Sequence, residues 1–165
     1  MVHQGNPNKA GSQFLLCLNA DPALNRRYAV FGKLVWMDLT DQGRFGYDEG
    51  KVFCTNTAFI MTGQSIKYLC PLLNSNLITW FMRHTSLNSG MGVTRWIVFT
   101  VEAISIPQIP ASDQKSFIQL LDRILAAKAK DPNADITALE AEIDSLVYQL
   151  YGLTSKEIEI VEGLG

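Results

Sequence analysis

The stretch "SIKYLCPLLNSNLITWFMRH", residues 65–84, combines a helical apolar pattern with a proline in its interior. Its apolar side chains recur at steps of three and four residues: Ile66, Leu69, Leu72, Leu73, Leu77, Trp80 and Phe81. This spacing predicts a helix over 65–83 that packs one face on a core. Ser65 is the predicted N-cap. Because Pro71 lacks a backbone donor, it predicts a kink or a late helix start near Cys70.

Short strands are predicted on the N-terminal side of this helix. Segments 13–18 ("QFLLCL") and 28–39 ("YAVFGKLVWMDL") are rich in aromatic and branched residues and are bounded by turn formers. Glycines and the cluster at 48–50 then separate two more short strands, at 52–54 and 57–62. The sequence therefore predicts a small, turn-rich β region.

The polar loop "TSLNSGMGV" at 85–93 leads from the helix into "TRWIVFTVEAISIPQIP" at 94–110. Apolar and polar residues alternate only roughly after the loop, which favours a strand. Pro107 and Pro110 predict extended backbone at the end of this stretch, because proline excludes the residue before it from helical geometry.

Helices are predicted from residue 112 onward, and they form a hairpin with a short final helix. The apolar stripe of the first helix comprises Phe117, Leu120, Leu121, Ile124 and Leu125. The second helix carries Leu139, Ile143, Leu146 and Leu150 at the spacing of a coiled-coil seam. Such a seam is either an interface with another protein or the cover of the chain's own core, and the second is favoured.

The predicted ends of these helices rest on three local signals. Thr137 with Glu140 forms a candidate capping box at the start of the second helix, and Gly152 ends it. Thr154 with Glu157 offers another capping box for the final helix.

Together these patterns predict an α+β fold: a small β-rich region with a packed helix, followed by a C-terminal helical hairpin. At 165 residues and 47% hydrophobic composition, one well-packed core is expected. We divide the chain into a flexible terminus or linker (1–12), a β-rich region (13–110) and a helical support region (111–165).

Charge divides the chain differently from hydrophobicity. Residues 1–100 hold nine Lys and Arg against five Asp and Glu, a net charge of +4, and residues 101–165 hold five against eleven, a net charge of −6. A modest positive excess is compatible with a nucleic-acid face, although a strongly basic domain would carry more.

The apolar runs predict where the protein is located, and the cysteines predict the redox state of its thiols. No window reaches eighteen apolar residues and the first twelve residues lack the apolar middle of a secretory signal, so a cytoplasmic location is expected. Cys17, Cys54 and Cys70 lie far apart in apolar runs without a CxxC pair, which predicts buried, reduced thiols.

Motifs for catalysis and for cofactor binding do not stand out. GxSxG, GxGxxG and GxxxxGK[ST] are absent, so we assign no catalytic residue, metal or cofactor to this chain. Asp48 and Glu49 are interpreted as solvated turn residues. His84, one of two histidines, is a surface residue at a helix end, a general base, or a contact to the edge of a DNA base, and the first is favoured.

A donor-rich set of side chains surrounds the 85–93 loop. It consists of Arg83, His84, Thr85, Ser86, Asn88, Ser89 and Arg95. Arginine and asparagine are the side chains best suited to read guanine and adenine edges, but an ordinary polar loop has the same composition.

Four segments match one family in order. "GRFGYDEGKVFCTNTAFIMTG" (43–63) is similar to "RFAYDEEGYFCNDTVFFITG", and "IKYLCPLLNSNLITWFMR" (66–83) to "LKYLLALLNSKLINWYFK". "ISIPQIP" is similar to "EQIPIP", and 133–162 is similar to the closing helices of the same family. Over about residues 34–162 the chain thus resembles the TaqI-like C-terminal specificity domain, the target recognition domain of type IIG restriction-modification enzymes.

The resemblance implies a module that recognises a double-stranded DNA sequence and has no catalytic activity of its own. In such enzymes this domain follows a nuclease and an S-adenosylmethionine-dependent adenine methyltransferase, so S-adenosylmethionine and Mg²⁺ are expected only in that catalytic portion. The DNA-binding candidates are Arg44, Lys51, Arg83, His84, Asn88, Ser89 and Arg95. The helices, through Leu139, Ile143, Leu146 and Leu150, are expected to dock the domain on the catalytic portion or on a partner half.

Within the opening stretch, Trp96 is expected to pack into the domain, while Arg95 at the loop's edge contacts DNA. The sequence departs from the family pattern at Pro71 and in "GVTRWIVFTVEA", which is more apolar than the family's segment. Two other readings stay open: a protein-interaction module that pairs through its helices, and a self-contained small enzyme.

Overall fold

The computed structural model describes residues 15–16, 32–49, 58–86 and 94–163. Six strands and six helices occur in these ranges. The strands are β1 (Leu15–Leu16), β2 (Lys33–Met37), β3 (Leu39–Thr40), β4 (Gly46–Asp48), β5 (Ala58–Thr62) and β6 (Thr94–Arg95). The helices are α1 (Ile66–Leu73), α2 (Asn76–Thr85), α3 (Val98–Glu102), α4 (Lys115–Lys130), α5 (Thr137–Tyr151) and α6 (Ser155–Val161). The α+β prediction is confirmed.

Four of the strands form one antiparallel sheet in the order β1-β5-β2-β4. Strand β2 lies between β5 and β4, and it alternates as expected for a sheet with one buried face, since Leu34 and Trp36 are buried. A separate two-stranded ladder pairs β3 with β6. The predicted strands at 28–39 and 57–62 are confirmed in their described parts, and the one predicted at 52–54 lies outside the described residues.

Helix α1 lies at the centre of the fold. Seven of its eight residues are buried, and it contacts β2 and β4 on one side and α4 and α5 on the other. Its one more accessible residue, Lys67, pairs with Asp122 of α4 at 2.9 Å. Buried residues from both sides of the predicted boundary at 110 therefore belong to one hydrophobic core.

The 65–84 stretch forms two helices, so the prediction of one helix with a kink or a late start near Cys70 was wrong. Helix α1 continues through Pro71 and ends at Leu73, and the chain breaks at Ser75. Ser75 has extended backbone and its side chain accepts a bond from Ile78 N, so it caps α2. The predicted cap Ser65 has a left-handed backbone and makes no side-chain capping bond.

The strand predicted after the 85–93 loop was also wrong beyond its first two residues. The chain leaves β6 at Arg95 and forms the short helix α3. The buried residues there are Trp96, Val101 and Ile104, and this spacing does not keep the two-residue period of a strand. Because a strand would bury every second residue, the rough alternation of the sequence was a poor guide.

The C-terminal helices confirm the predicted hairpin, with one change at a cap. Gly152 ends α5 with φ of 69°, and Thr154 with Glu157 forms the predicted capping box of α6. The box predicted for Thr137 and Glu140 was wrong. Asp135 instead accepts bonds from the backbone N and the hydroxyl of Thr137, because Thr137 is already the first helical residue.

Asn74, in the break between α1 and α2, fixes the segment that precedes β4. Its Oδ1 accepts from Phe45 N at 2.9 Å and its Nδ2 donates to Phe45 O at 2.9 Å, so one amide side chain satisfies both backbone groups of that residue. Two residues earlier, Gly43 N donates to Thr79 Oγ1 of α2. A Cβ at Gly43 would come within 2.5 Å of Leu73 O, so the approach requires glycine.

Among the cysteines, Cys70 is described and the prediction for it is confirmed. It is buried in α1 and its thiol donates to Phe45 O at 3.4 Å. Burial raises the pKa of Cys70 to about 12, so it remains a neutral thiol. Cys17 and Cys54 lie outside the described residues.

We predict that Asn74→Ala lowers the free energy of unfolding by about 1–3 kcal/mol, because Phe45 N loses its partner and Phe45 O keeps only the weak donor Cys70 Sγ. Urea denaturation followed by tryptophan fluorescence measures the change. Asn133→Ala, at an exposed asparagine between α4 and α5, is the matched control and should shift stability by less than about 0.5 kcal/mol. Equal effects of the two substitutions would contradict this role of Asn74.

Asp144 on α5 should make stability depend on pH. Its Oδ1 accepts from Asn76 N at the start of α2 (2.8 Å), yet burial, reinforced by Glu162 and Glu140, raises the pKa of Asp144 to about 6. The folded protein thus binds this proton more tightly than the unfolded chain, and stability should fall as pH rises from about 4 to about 6. The slope from this group is at most about 1.4 kcal/mol per pH unit.

Asp144→Asn separates this effect from other titrations. The amide oxygen still accepts from Asn76 N but carries no charge, so the variant should lack this part of the pH dependence and be at least as stable as the wild type at pH 8. Thermal unfolding of both proteins between pH 4 and 8 makes the measurement. Parallel stability curves would show that Asp144 does not titrate in this range.

Candidate nucleic-acid interface

Four of the seven DNA-binding candidates lie in the described residues: Arg44, Arg83, His84 and Arg95. Lys51, Asn88 and Ser89 lie outside them. The structure brings the three arginines together around one short stretch, residues 38–44, which we call the 38–44 segment. It runs from the end of β2 through β3 to the residues before β4.

Arg83 and Arg44 both contact Asp41 in the middle of this segment. The Arg83 guanidinium donates from Nε and Nη2 to the backbone O of Asp41, at 3.1 and 2.9 Å. Arg44 Nη2 lies 3.2 Å from Asp41 Oδ1, with both side chains exposed. Arg83 therefore binds a neutral carbonyl and keeps its full charge, whereas Arg44 shares its charge with a carboxylate.

Arg95 forms a two-point ion pair with Asp38 at the start of the segment. Its Nε donates to Oδ1 at 3.2 Å and its Nη2 to Oδ2 at 2.5 Å. The side chains remain 45% and 26% exposed, respectively. The hydrogen bonds and the charge of Asp38 raise the pKa of Arg95, which stays protonated at any physiological pH.

The backbone beside this ion pair is held by a buried tryptophan. Trp96 is fully buried, its backbone N donates to Asp38 O at 2.6 Å, and its Nε1 donates to Thr40 O at 3.3 Å. Its own carbonyl accepts from Trp36 Nε1 at 2.7 Å. The structure thus confirms that Trp96 packs into the domain while Arg95 faces solvent.

His84 contacts a different element from its neighbour Arg83. Its Nδ1 lies 2.7 Å from Trp80 O, and its ring lies 4.5 Å from the Trp80 ring. Trp80 lines a groove between α2 and α6, together with Leu77 and Ile160. A DNA contact by His84 therefore stays a prediction, and the described contacts do not join it to the arginines.

Exposed apolar side chains flank the arginines. Of the four large hydrophobic residues exposed in the described ranges, Met37 (58%) and Leu39 (48%) stand on either side of Asp38 in the chain, and Phe99 (79%) lies in α3, which begins soon after Arg95. Leu39 is the register partner of Arg95 in the β3–β6 ladder, so the two side chains share a face. Exposed apolar groups beside charges are typical of interaction surfaces.

Sequence reasoning missed Asp38, Asp41 and these three apolar residues. The signal for Asp38 was a carboxylate placed directly after the apolar strand "KLVWM" and inside the positively charged half of the chain. Its partner stands 57 residues away and is fixed by the pairing of β3 with β6, which local patterns do not reveal.

The predicted docking residues of α5 contribute to the chain's own core. Ile143 is buried, and Leu139, Leu146 and Leu150 are half-buried against the core. This agrees with the favoured reading of the seam as a core cover. A role for these residues in docking on a partner stays a prediction.

Among the residues that the structure describes, no group of three His, Cys, Asp or Glu side chains is placed to hold a metal ion. Likewise, none of the described helices is both long and apolar enough to cross a membrane.

Comparison with known families shows which family the chain belongs to. The model of a family described as the TaqI-like C-terminal specificity domain matches residues 9–106, which contain every described strand, α1–α3 and all seven DNA-binding candidates. The match begins earlier than the resemblance over 34–162 and ends before α4, so the similarity of the closing helices stays a prediction. No curated protein matches the chain.

Proposed function

Because this chain belongs to the TaqI-like C-terminal specificity domains, which recognise DNA for restriction-modification enzymes, we propose that it selects the target of a type IIG enzyme. Such an enzyme joins an adenine-specific DNA methyltransferase and an endonuclease to one specificity domain. The chain itself is then a non-catalytic part, and S-adenosylmethionine and Mg²⁺ are bound by the catalytic portion. We place this enzyme in the cytoplasm.

The observation that supports DNA recognition best is the convergence of Arg44, Arg83 and Arg95 on the 38–44 segment. Three guanidinium groups from β6, α2 and the segment itself are presented within one surface, with exposed apolar side chains beside them. Arginine supplies both kinds of contact that specific DNA binding needs, to phosphates and to base edges. Lys51, Asn88 and Ser89 belong to the same proposal through the sequence alone.

The three arginines divide into two groups by the charge of their partner. Arg83 binds a backbone carbonyl, so its positive charge is not offset by a described carboxylate. We assign it to a phosphate, because phosphate contacts depend on net charge. Arg44 and Arg95 each pair with an aspartate, which weakens their attraction for a phosphate.

A second candidate function, a protein-interaction module, is favoured by the groove between α2 and α6. Ile160 is 54% exposed there and lies with Leu77, Trp80, Leu153 and Val161 along an apolar surface. In the first proposal this groove, with the α5 seam, is where the catalytic portion docks. In the second it binds a separate subunit and no DNA is read.

We predict that the 165-residue chain enriches one short motif from a pool of randomised duplexes. Its affinity for that motif should fall steeply as salt rises from about 50 to about 200 mM, because each phosphate contact releases about one counterion. Sequencing of bound duplexes and fluorescence anisotropy provide the two measurements. Recovery of a random pool at low salt would contradict the proposal and favour the interaction module.

We predict that Arg83→Ala weakens binding to every duplex alike and reduces the salt slope by about one, with the enriched motif unchanged. Arg83→Lys keeps the charge and should retain the slope. Arg123→Ala, at another exposed arginine, in α4 and paired with Glu142, is the control and should bind as the wild type. A changed motif in Arg83→Ala would assign this arginine to a base.

A further inference from the structure

We propose that Arg95 reads a guanine in the DNA target and that Asp38 is the positioning residue that aims it. The inference rests on the proposed function and adds the identity of the base and a role for the aspartate. Three observations support it: which N–H groups of Arg95 bond to Asp38, the charge of the Arg95–Asp38 pair, and the contacts that hold this pair in place.

The atoms engaged by Asp38 leave a matched edge of the guanidinium. Arginine has five N–H donors, and Asp38 accepts one from Nε and one from Nη2. Within the described residues no hydrogen bond uses Arg95 Nη1, so Nη1 and the second N–H of Nη2 face away from Asp38 as a fork. Guanine presents two acceptors, O6 and N7, at the spacing that this fork fits.

The charge of the pair favours a base over a phosphate. A phosphate would place a second negative charge beside the Asp38 carboxylate, and the two anions would share one guanidinium. The O6 and N7 atoms of guanine carry no net charge, so they accept from the arginine without that repulsion. Arg83, bound to a backbone carbonyl, lacks this restriction and serves as the contrasting case.

The contacts around Arg95 and Asp38 restrict the conformations of the Arg95 side chain before DNA binds. Asp38 O accepts from Trp96 N, and the fully buried Trp96 follows Arg95 directly in the chain. The β3–β6 ladder sets Leu39 opposite Arg95 on the same exposed face. A side chain already held in its binding geometry loses less conformational entropy on binding.

The Arg95–Asp38 ion pair is expected to contribute little to the stability of the fold. Arg95 is exposed and Asp38 is partly accessible to solvent, and ion pairs that solvent reaches contribute little to folding. The substitutions below should therefore leave the thermal midpoint nearly unchanged, which thermal melts of each variant verify before binding is measured.

The experiment compares motif selection by the wild type, Arg95→Lys and Asp38→Asn. We expect one guanine position in the wild-type motif. Arg95→Lys should reduce the preference at this position about tenfold or more, because lysine lacks the fork. Asp38→Asn should reduce the same preference several-fold while it tightens binding to unrelated duplexes, because one negative charge is removed from the surface.

These opposite effects of Asp38→Asn on specific and non-specific binding distinguish a positioning role from loss of folding. Replacement of the target guanine by 7-deazaguanine removes the N7 acceptor, and should weaken the wild type but not Arg95→Lys. Arg123→Lys and Glu142→Gln alter a more exposed ion pair between α4 and α5 and should leave both kinds of binding unchanged.

The outcomes separate this inference from the proposed function. If the wild type selects no motif, the proposed function fails and the inference fails with it. If a motif is selected and Arg95→Lys selects the same motif with equal strength, the function stands and the inference is overturned. If Arg95→Lys loses the guanine but Asp38→Asn keeps it, Asp38 does not position the arginine.

Discussion

The fold depends on the amide of Asn74, which holds the strands and helices together at the break between α1 and α2. Its side chain satisfies both backbone groups of Phe45 and also donates to Cys70 O in the last turn of α1. Phe45 in turn packs between Trp36 and Trp96, with ring centroids 5.2 and 5.7 Å apart. The break between the two helices thus anchors the β region, because Phe45, which Asn74 holds, also packs against two tryptophans of the core.

Local patterns predicted those elements whose determinants lie within a few residues of each other. The apolar steps of α4 and α5, the glycine at 152 and the capping box of Thr154 are of this kind, and the structure contains them. The break between α1 and α2 was missed because the apolar spacing continues across it. The end of α1 and the start of α2 are set by the hydrogen bonds of Asn74 and Ser75. The sequence does not show which residues a polar side chain will bond to.

The sequence predicted which arginines belong to the candidate interface, but it did not predict how they are arranged in space. Composition and the family resemblance identified Arg44, Arg83 and Arg95, but their common partner is a segment 42 residues from Arg83 and 57 residues from Arg95. That proximity follows from the pairing of β3 with β6 and from the packing of α2 on the residues around Gly43. Tertiary structure therefore turns three separate basic residues into one surface, in which two aspartates lower the net charge.

The alternation of buried Trp96 with exposed Arg95 has a consequence for how such a domain changes its target. The bonds that hold β6 in place involve the backbone and the indole of Trp96, and none of them uses the side chain at 95. The side chains at positions 95 and 38 can therefore change without loss of the bonds that hold β6. In the role that we propose for Arg95, a pair of exchanges at positions 95 and 38 would change specificity on an unaltered scaffold, so these two positions are where retargeting would start.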